Sequence, residues 1–264
     1  DHCAYSPKHS SKIVTTVAKA VDFLLTPQVA RLYDDTLCVS KATKKYLQGL
    51  GVNASAVFYG GVDSKKFKNG KAKSKRHLPK VKKIFDEKDV VVVFLGRMIY
   101  SKGPQVLLGA AKSMVDKNSH LYFVFAGEGE ALKKLKGQKV KNIFFTGNLT
   151  QTEVVRLLGN SDILVFPTMH HEGFPLTLLE AGAAGLSVIT SNQGGIGELI
   201  KDGESGLIVN PSVEDVKNKL TRLIEDEKLR ERLSQNLQKR VKSDFDRDII
   251  AEKYYKYIAL KLAL

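Results

Sequence analysis

The sequence predicts an α/β fold built on a parallel β-sheet, and three observations carry that expectation. Residues 89–95 (DVVVVFL), 121–126 (LYFVFA) and 162–167 (DILVFP) are short, almost uninterrupted apolar runs, the pattern of strands buried on both faces. Helix-compatible stretches separate them, so the strands are joined by crossovers rather than tight turns. The run at 162–167 stops at Pro167 and is followed by a strand-like run at 186–191 (LSVITS), leaving residues 175–184 as the intervening helix.

From the beginning of the chain, residues 13–25 carry apolar side chains at 13, 14, 17, 21, 24 and 25, the spacing of an amphipathic helix. Residues 36–40 (TLCVS) read as a strand, 41–50 as a helix and 54–59 as a strand. They are too few for a complete doubly wound domain; that residues 1–60 are the last portion of one is what the family resemblance given below implies. Gly60-Gly61-Val62-Asp63 is suited to a turn, and residues 61–88 are expected to be a basic linker, with the hinge at its start implied by the family resemblance given below. A second domain, 89–243, then takes its strands at 89–95, 121–126, 143–146, 162–167, 186–191 and 207–209. Its helices are expected at 105–115, around 152–158, and at 175–184, 213–225 and 227–242. A last helix, within residues 244–264, carries tyrosines at 254, 255 and 257.

Composition bounds the function. With 264 residues and 43% hydrophobic content the chain can bury a substantial core. It has neither a run of about 20 apolar residues nor a signal-peptide pattern. Cys3 and Cys38 make no disulfide framework, so reduced thiols in the cytoplasm are expected. The six histidines show no H-E-x-x-H array, and adjacent side chains in His170-His171-Glu172 point apart, so no metal site is expected. The net charge is +14, and residues 65–83 hold ten lysines or arginines and no acid. That tract could be a solubilising loop, or it could attract an anionic membrane surface or an acidic substrate. No adjoining zinc finger, homeodomain or RNA-recognition motif supports nucleic acid.

The densest chemical signal is residues 168–195. Glu172 falls in the loop beyond a strand's carboxyl end, where open α/β sheets place ligands, and Glu180 falls in the next helix. Leu178, Leu179, Ala181, Ala183 and Ala184 surround Glu180 with apolar or small side chains, and an acid in that company usually has a partner.

The stretch EGFPLTLLEA (residues 172–181), with GRMIYSKG (96–103), AGEGE (126–130), TGNLTQTEV (146–154), NSDILVFPT (160–168) and NQGGIGELIKDGESGLIV (192–209), resembles the retaining nucleotide-sugar glycosyltransferases of family 4. These are group 1 glycosyl transferases, and E-x7-E is their signature. The resemblance covers roughly residues 91–209. It implies a GT-B fold: a Rossmann-like nucleotide-sugar-binding domain plus the C-terminal remnant of a second, acceptor-side Rossmann-like domain, with the final helix crossing back to the latter. GGVD stands where the family has N-G-V-D, and glycine, like asparagine, tolerates positive φ.

For the site, the resemblance implies that Arg97 and Lys102, after the second domain's first strand beside Gly96, take the charge of a departing β-phosphate. A planar fork and a mobile ammonium suit that task without a divalent ion. Backbone amides of Phe174 and Leu176 at the start of a helix can bind a second phosphate, and Pro175 lacks an N–H but can start that helix. Glu172, with Gly173, is placed against donor-sugar hydroxyls and Glu180 on the ribose. Gly127, Asn148 and Leu149 are placed near the base, although AGEGE could equally be an ordinary strand-to-helix turn. His2, in DHCAYS, is carried over as the N-domain histidine facing the donor sugar. No protein nucleophile is expected, since the departing phosphate can help receive the acceptor's proton.

The resulting expectation is retaining transfer of a hexosyl group from a GDP- or UDP-linked sugar to a lipid-linked or glycan acceptor. No cofactor beyond that donor is expected, and the protein is expected in the cytoplasm with peripheral contact to an anionic membrane. A dinucleotide-dependent oxidoreductase fits less well, because no G-x-G-x-x-G with a suitably spaced acid follows an early strand. A nucleotide-sugar epimerase of similar fold and a basic membrane- or nucleic-acid-binding module remain as alternatives.

Overall fold

The computed structural model describes residues 12–67, 76–116 and 118–262. His2 and Cys3 therefore lie outside the described residues, as do residues 68–75 of the basic tract.

The chain begins with α1 (Lys12–Ala30), β1 (Leu37–Cys38), α2 (Lys41–Gly49) and β2 (Ala56–Val57). β1 and β2 pair in parallel, Leu37 opposite Ala56 and Cys38 opposite Val57. Ser40 caps α2, its hydroxyl accepting the Thr43 amide at 3.0 Å. α1 runs five residues beyond its expected end and takes Pro27 within it, while Val17, Phe23, Leu24 and Leu25 stay exposed.

The hinge glycines work differently from the expectation. Neither Gly60 nor Gly61 adopts positive φ. What Gly60 supplies is space, since a methyl group there would lie 2.8 Å from Leu176 Cδ2, and one on Gly61 would lie 3.0 Å from Arg247 Cα.

Part of the stretch read as linker is built into the fold. β3 (Arg76–His77) and β4 (Ile84–Phe85) pair antiparallel, with Leu78 and Phe85 buried in the core. Arg76 is buried as well. Its Nη1 lies 2.7 Å from Asp162 Oδ2, and Nη2 donates to the carbonyls of Asp86 and Asp89. Lysine density signalled an exposed tract there, but one arginine has acceptors enough to enter the interior.

The second sheet has six parallel strands: β5 (Val90–Leu95), β6 (Leu121–Ala126), β7 (Ile143–Gly147), β8 (Ile163–Phe166), β9 (Ser187–Thr190) and β10 (Leu207–Ile208). Their order is β10-β9-β8-β5-β6-β7. The four central strands are almost wholly buried, which explains why they read as unbroken apolar runs. The helices are α3 (Pro104–Val115), α4 (Leu132–Lys136), α5 (Gln151–Gly159), α6 (Leu176–Ala183), α7 (Ile196–Leu199), α8 (Val213–Glu225), α9 (Glu227–Asp244) and α10 (Arg247–Leu262). α4 and α7 were not expected; at five and four residues they are too short to display a helical period. No helix among the described residues is long and apolar enough to cross a membrane.

The order places a switch point at the sheet's centre. From β5 the chain builds outward through β6 and β7, then returns to lay β8 on the other side of β5. Open α/β sheets hold ligands at the carboxyl ends beside such a point, here at the loops leaving β5 and β8.

α10 leaves that domain and packs on the N-terminal segment. Phe58 meets Tyr254 and Tyr257 edge-on at centroid distances of 4.8 and 5.4 Å, and Lys261 pairs with Asp35 at 3.2 Å. At the hinge, Val62 donates to Phe245 O and accepts from the Arg247 amide.

Candidate active site

Across the switch point runs a row of phenylalanines, one from each of four adjacent strands: Phe166, Phe94, Phe125 and Phe145. Successive centroids are 6.1, 6.1 and 5.0 Å apart. Lys102 stands over the Phe166 end of this row.

Lys102 ends a 3-10 turn in the loop after β5, with its Nζ 5.6 Å from the Phe166 centroid and 2.5 Å from Glu172 Oε1. Lys102 and Glu172 are each 9% exposed. Thr168, fully buried after β8, donates its hydroxyl to the same Glu172 oxygen at 3.0 Å. The two loops are laced together, since Ser101 O accepts the amides of Met169 and His170 at 2.8 and 3.1 Å. His170 is half-buried beside these groups. Burial, then Lys102 and, more weakly, Arg97 lower its pKa below the ordinary histidine value, with Glu172 opposing.

Arg97 is exposed and pairs with no acid among the described residues. With Gly96, Gly127, Glu128, Asn148, Leu149 and Val154 it lines a pocket of about 170 Å3 at the ends of β5, β6 and β7. A methyl group on Gly127, where φ is 128°, would lie 2.0 Å from Gly96 O. The AGEGE stretch is thus a turn packed backbone to backbone against the β5 loop, and it lines this pocket.

The loop carrying Glu172 is backed by the Gly194–Gly195 turn. Glu172 and Gly194 form a parallel bridge, and the Gly195 amide donates to Glu172 O at 2.9 Å. α6 begins one residue later than expected, with Pro175 as its N-cap at ψ 115° and Leu176 as its first residue. Among the described residues, the amides of Phe174, Leu176 and Thr177 meet no acceptor, so the helix start retains free donors. The Phe174 ring faces away from this opening and packs against Tyr59 and Phe245 at 4.9 and 5.2 Å.

Glu180 does have a partner, Gln151 Nε2 at 3.0 Å, from the start of α5. Burial pushes its pKa up, and this hydrogen bond pulls the other way.

The structure thus gathers Arg97, Lys102, Glu172, Glu180, Gly96, Gly127, Asn148, Leu149 and the start of α6 along one edge of the sheet. His2 falls outside the described residues. Thr168, Gln151 and the phenylalanine row escaped the sequence reading. A hydroxyl just past a strand-ending proline was a usable sign for Thr168, whereas Gln151 carried none. A larger cavity, about 660 Å3, lies at the opposite edge among Arg76, Asp89, Asp162 and Arg230. Among the described residues no cluster of three metal-ligating side chains forms.

A parallel sheet with cationic side chains at its switch point and free helix amides beside them has the architecture on which α/β folds can hold phosphates. The glycosyl transferases group 1 family model matches residues 74–240, and the chain belongs to that family. It is 27% identical over 222 residues to the N,N'-diacetylbacillosaminyl-diphospho-undecaprenol alpha-1,3-N-acetylgalactosaminyltransferase of Campylobacter jejuni, a match covering 83% of this chain and 58% of that protein. It is 31% identical over 211 residues to an uncharacterised glycosyltransferase of Methanocaldococcus jannaschii, covering 77% and 53%. The chain therefore spans little more than half the length of these relatives. The crystal structure of Anabaena HepE in complex with UDP and glucose superimposes with a TM-score of 0.79 at 19% identity, covering 98% of this chain and 70% of that one. The fold is of the GT-B type.

Proposed function

We propose that the protein is a retaining glycosyltransferase that moves a hexosyl group from a nucleoside diphosphate sugar to a lipid-linked or glycan acceptor, without a metal ion. The observation that carries this reading is the pair of cations at the switch point, Lys102 held by Glu172 and Arg97 left unpaired beside the Gly96–Gly127 turn. As the acceptor hydroxyl attacks the anomeric carbon, the bond from that carbon to the β-phosphate oxygen breaks and negative charge grows on the phosphate. Arg97, Lys102 and the free amides at the start of α6 meet that charge. The departing phosphate takes the hydroxyl's proton on the same face, so no side chain becomes covalently linked. Glu172 would accept hydrogen bonds from the sugar, Glu180 from the ribose, and the pocket by Asn148 and Leu149 would hold the base.

The UDP bound to HepE makes UDP-sugars the first donors to try, with GDP-mannose beside them. The name of the Campylobacter relative favours a diphospholipid-linked acceptor. The lysine-rich tract would then approach an anionic membrane at its cytoplasmic face. The test is a donor panel on the full-length protein, with mass-spectrometric detection of product and assignment of its anomeric configuration. An Arg97→Ala/Lys102→Ala variant should lose transfer. Equal turnover by that variant would overturn the reading, and epimerised donor without acceptor would replace it with an epimerase.

A further inference from the structure

Glu198 joins two parts of the molecule that are far apart in the sequence. It lies on α7, just after the Gly194–Gly195 turn that backs Glu172, and its carboxylate is held by the N-terminal segment. Oε1 accepts the Ala42 amide, and Oε2 accepts the Lys41 amide and the Tyr59 hydroxyl, each at 2.9 Å. Lys41 and Ala42 open α2, so the carboxylate occupies that helix's positive end. Hydrogen bonds to an ionised acceptor are roughly twice as strong as neutral ones, and here three converge on one side chain. Burial and this carboxylate push the Tyr59 hydroxyl pKa up to about 12, so it remains a donor.

The contact extends to the candidate active site. Ser40 lies over Gly195, where a methyl group would come within 2.9 Å of Ser40 Cβ and 2.0 Å of Gly173 O. Gly195 in turn donates to Glu172 O. From the other side, Arg240 Nη2 holds Glu198 O at 2.7 Å. A shift of α2 relative to α7 therefore presses on Gly195 and, through it, on the backbone of Glu172 and Gly173.

We propose that Glu198 is a positioning residue that, by capping α2 across the boundary between the two sheets, sets the N-terminal segment against the loop carrying Glu172. This inference rests on the transferase reading, in which the first sheet's domain presents the acceptor and the second holds the donor. Misplacing reacting groups by about 1 Å can cost on the order of 100-fold in rate. Donor affinity should be nearly untouched, because Arg97, Lys102 and the α6 amides all belong to the second domain.

The test compares the full-length protein with its Glu198→Ala, Glu198→Gln and Tyr59→Phe variants. UDP affinity is read by calorimetry, kcat on the best donor of the panel, and hydrogen exchange across residues 40–50 and 172–199. For Glu198→Ala the expected result is a UDP Kd within about 3-fold of the parent and a kcat lower by about 10-fold or more. Amide exchange should quicken both in the first turn of α2 and at Gly195. Tyr59→Phe should move the same quantities less, and it serves if the alanine variant fails to fold. An unchanged kcat, or faster exchange confined to α2, overturns the proposal. If the parent transfers no sugar, the transferase reading fails, and the exchange comparison still decides whether Glu198 couples the two segments.

Discussion

Lys102 and Glu172, 70 residues apart in the chain, meet as a buried ion pair at the sheet's switch point. Each side chain is only 11% exposed, so losing one partner strands the other in a dry site. Lys102→Ala is expected to destabilise the fold by about 3 kcal/mol. The Lys102→Ala/Glu172→Ala double variant should lose clearly less than the two single losses combined. Urea unfolding of the four proteins reads this directly, and strictly additive losses would mean the pair is not formed in solution.

Glu180 should trade stability for binding. Burial raises its folded pKa above the ordinary 4.5, so its protonated form fits the fold better than its carboxylate. That contribution is fully present below the unfolded value and is lost as pH rises through the raised folded one. Glu180→Gln should therefore melt higher than the parent at pH 8 and match it near pH 4, while binding UDP more weakly. A melting difference that is the same at both pH values would contradict the cause assigned to the shift.

The four central strands of the second sheet were legible because burial on both faces leaves a run of apolar residues with no period to misjudge. Glu172 and Lys102 were legible through the motifs around them, each beside a strand end. Their mutual contact was not, and neither was the bond from Gln151 to Glu180, because nothing local to either member specifies so distant a partner. Arg76 shows the limit of composition: nine neighbouring lysines marked the tract as exposed, yet this arginine is buried. Gly60 shows the limit of residue type, since glycine signals either positive φ or lack of room, and here it was room.

His170 should report the arrival of a diphosphate. Its folded pKa lies below the ordinary 6.5, first through burial and then through Lys102. The neutral ring's contribution to stability is complete above that ordinary value and is lost as pH falls through it toward the lowered one. UDP would bring negative charge against the same cations and move the pKa up. Titration of the ring proton by NMR, assigned by its loss in His170→Asn, should show an upward shift on saturation with UDP. No shift would place the phosphates elsewhere.

Two glycines with positive φ separate space from conformation. Gly127 has both constraints, since a methyl group there would meet Gly96 O at 2.0 Å, whereas Gly203, at φ 70°, has nothing within 4 Å. Gly203→Ala should cost about 1 kcal/mol for its backbone alone. Gly127→Ala must also push two loops apart, and should cost about 2 kcal/mol more as well as weakening UDP binding. Thermal melting together with calorimetry distinguishes the two; equal costs would mean the β5 and β6 loops are looser than their packing indicates.

Arg97 is the converse of Lys102. It is exposed and has no acidic partner among the described residues, so no ion pair there depends on its charge. Truncating such a side chain generally changes stability by less than about 0.5 kcal/mol. Its guanidinium nevertheless stands at the pocket between the β5 and β6 turns, where a departing phosphate would need it. Arg97→Ala should keep the parent's melting temperature while lowering transfer on the order of 100-fold. Arg97→Lys should recover only part of that loss, because a single ammonium cannot reproduce a planar fork that grips two phosphate oxygens at once. A variant that melted early would assign Arg97 a structural task, and one that transferred normally would remove it from the phosphate site. The separation of the two readouts, absent for Lys102, is what marks a charge kept free for a ligand.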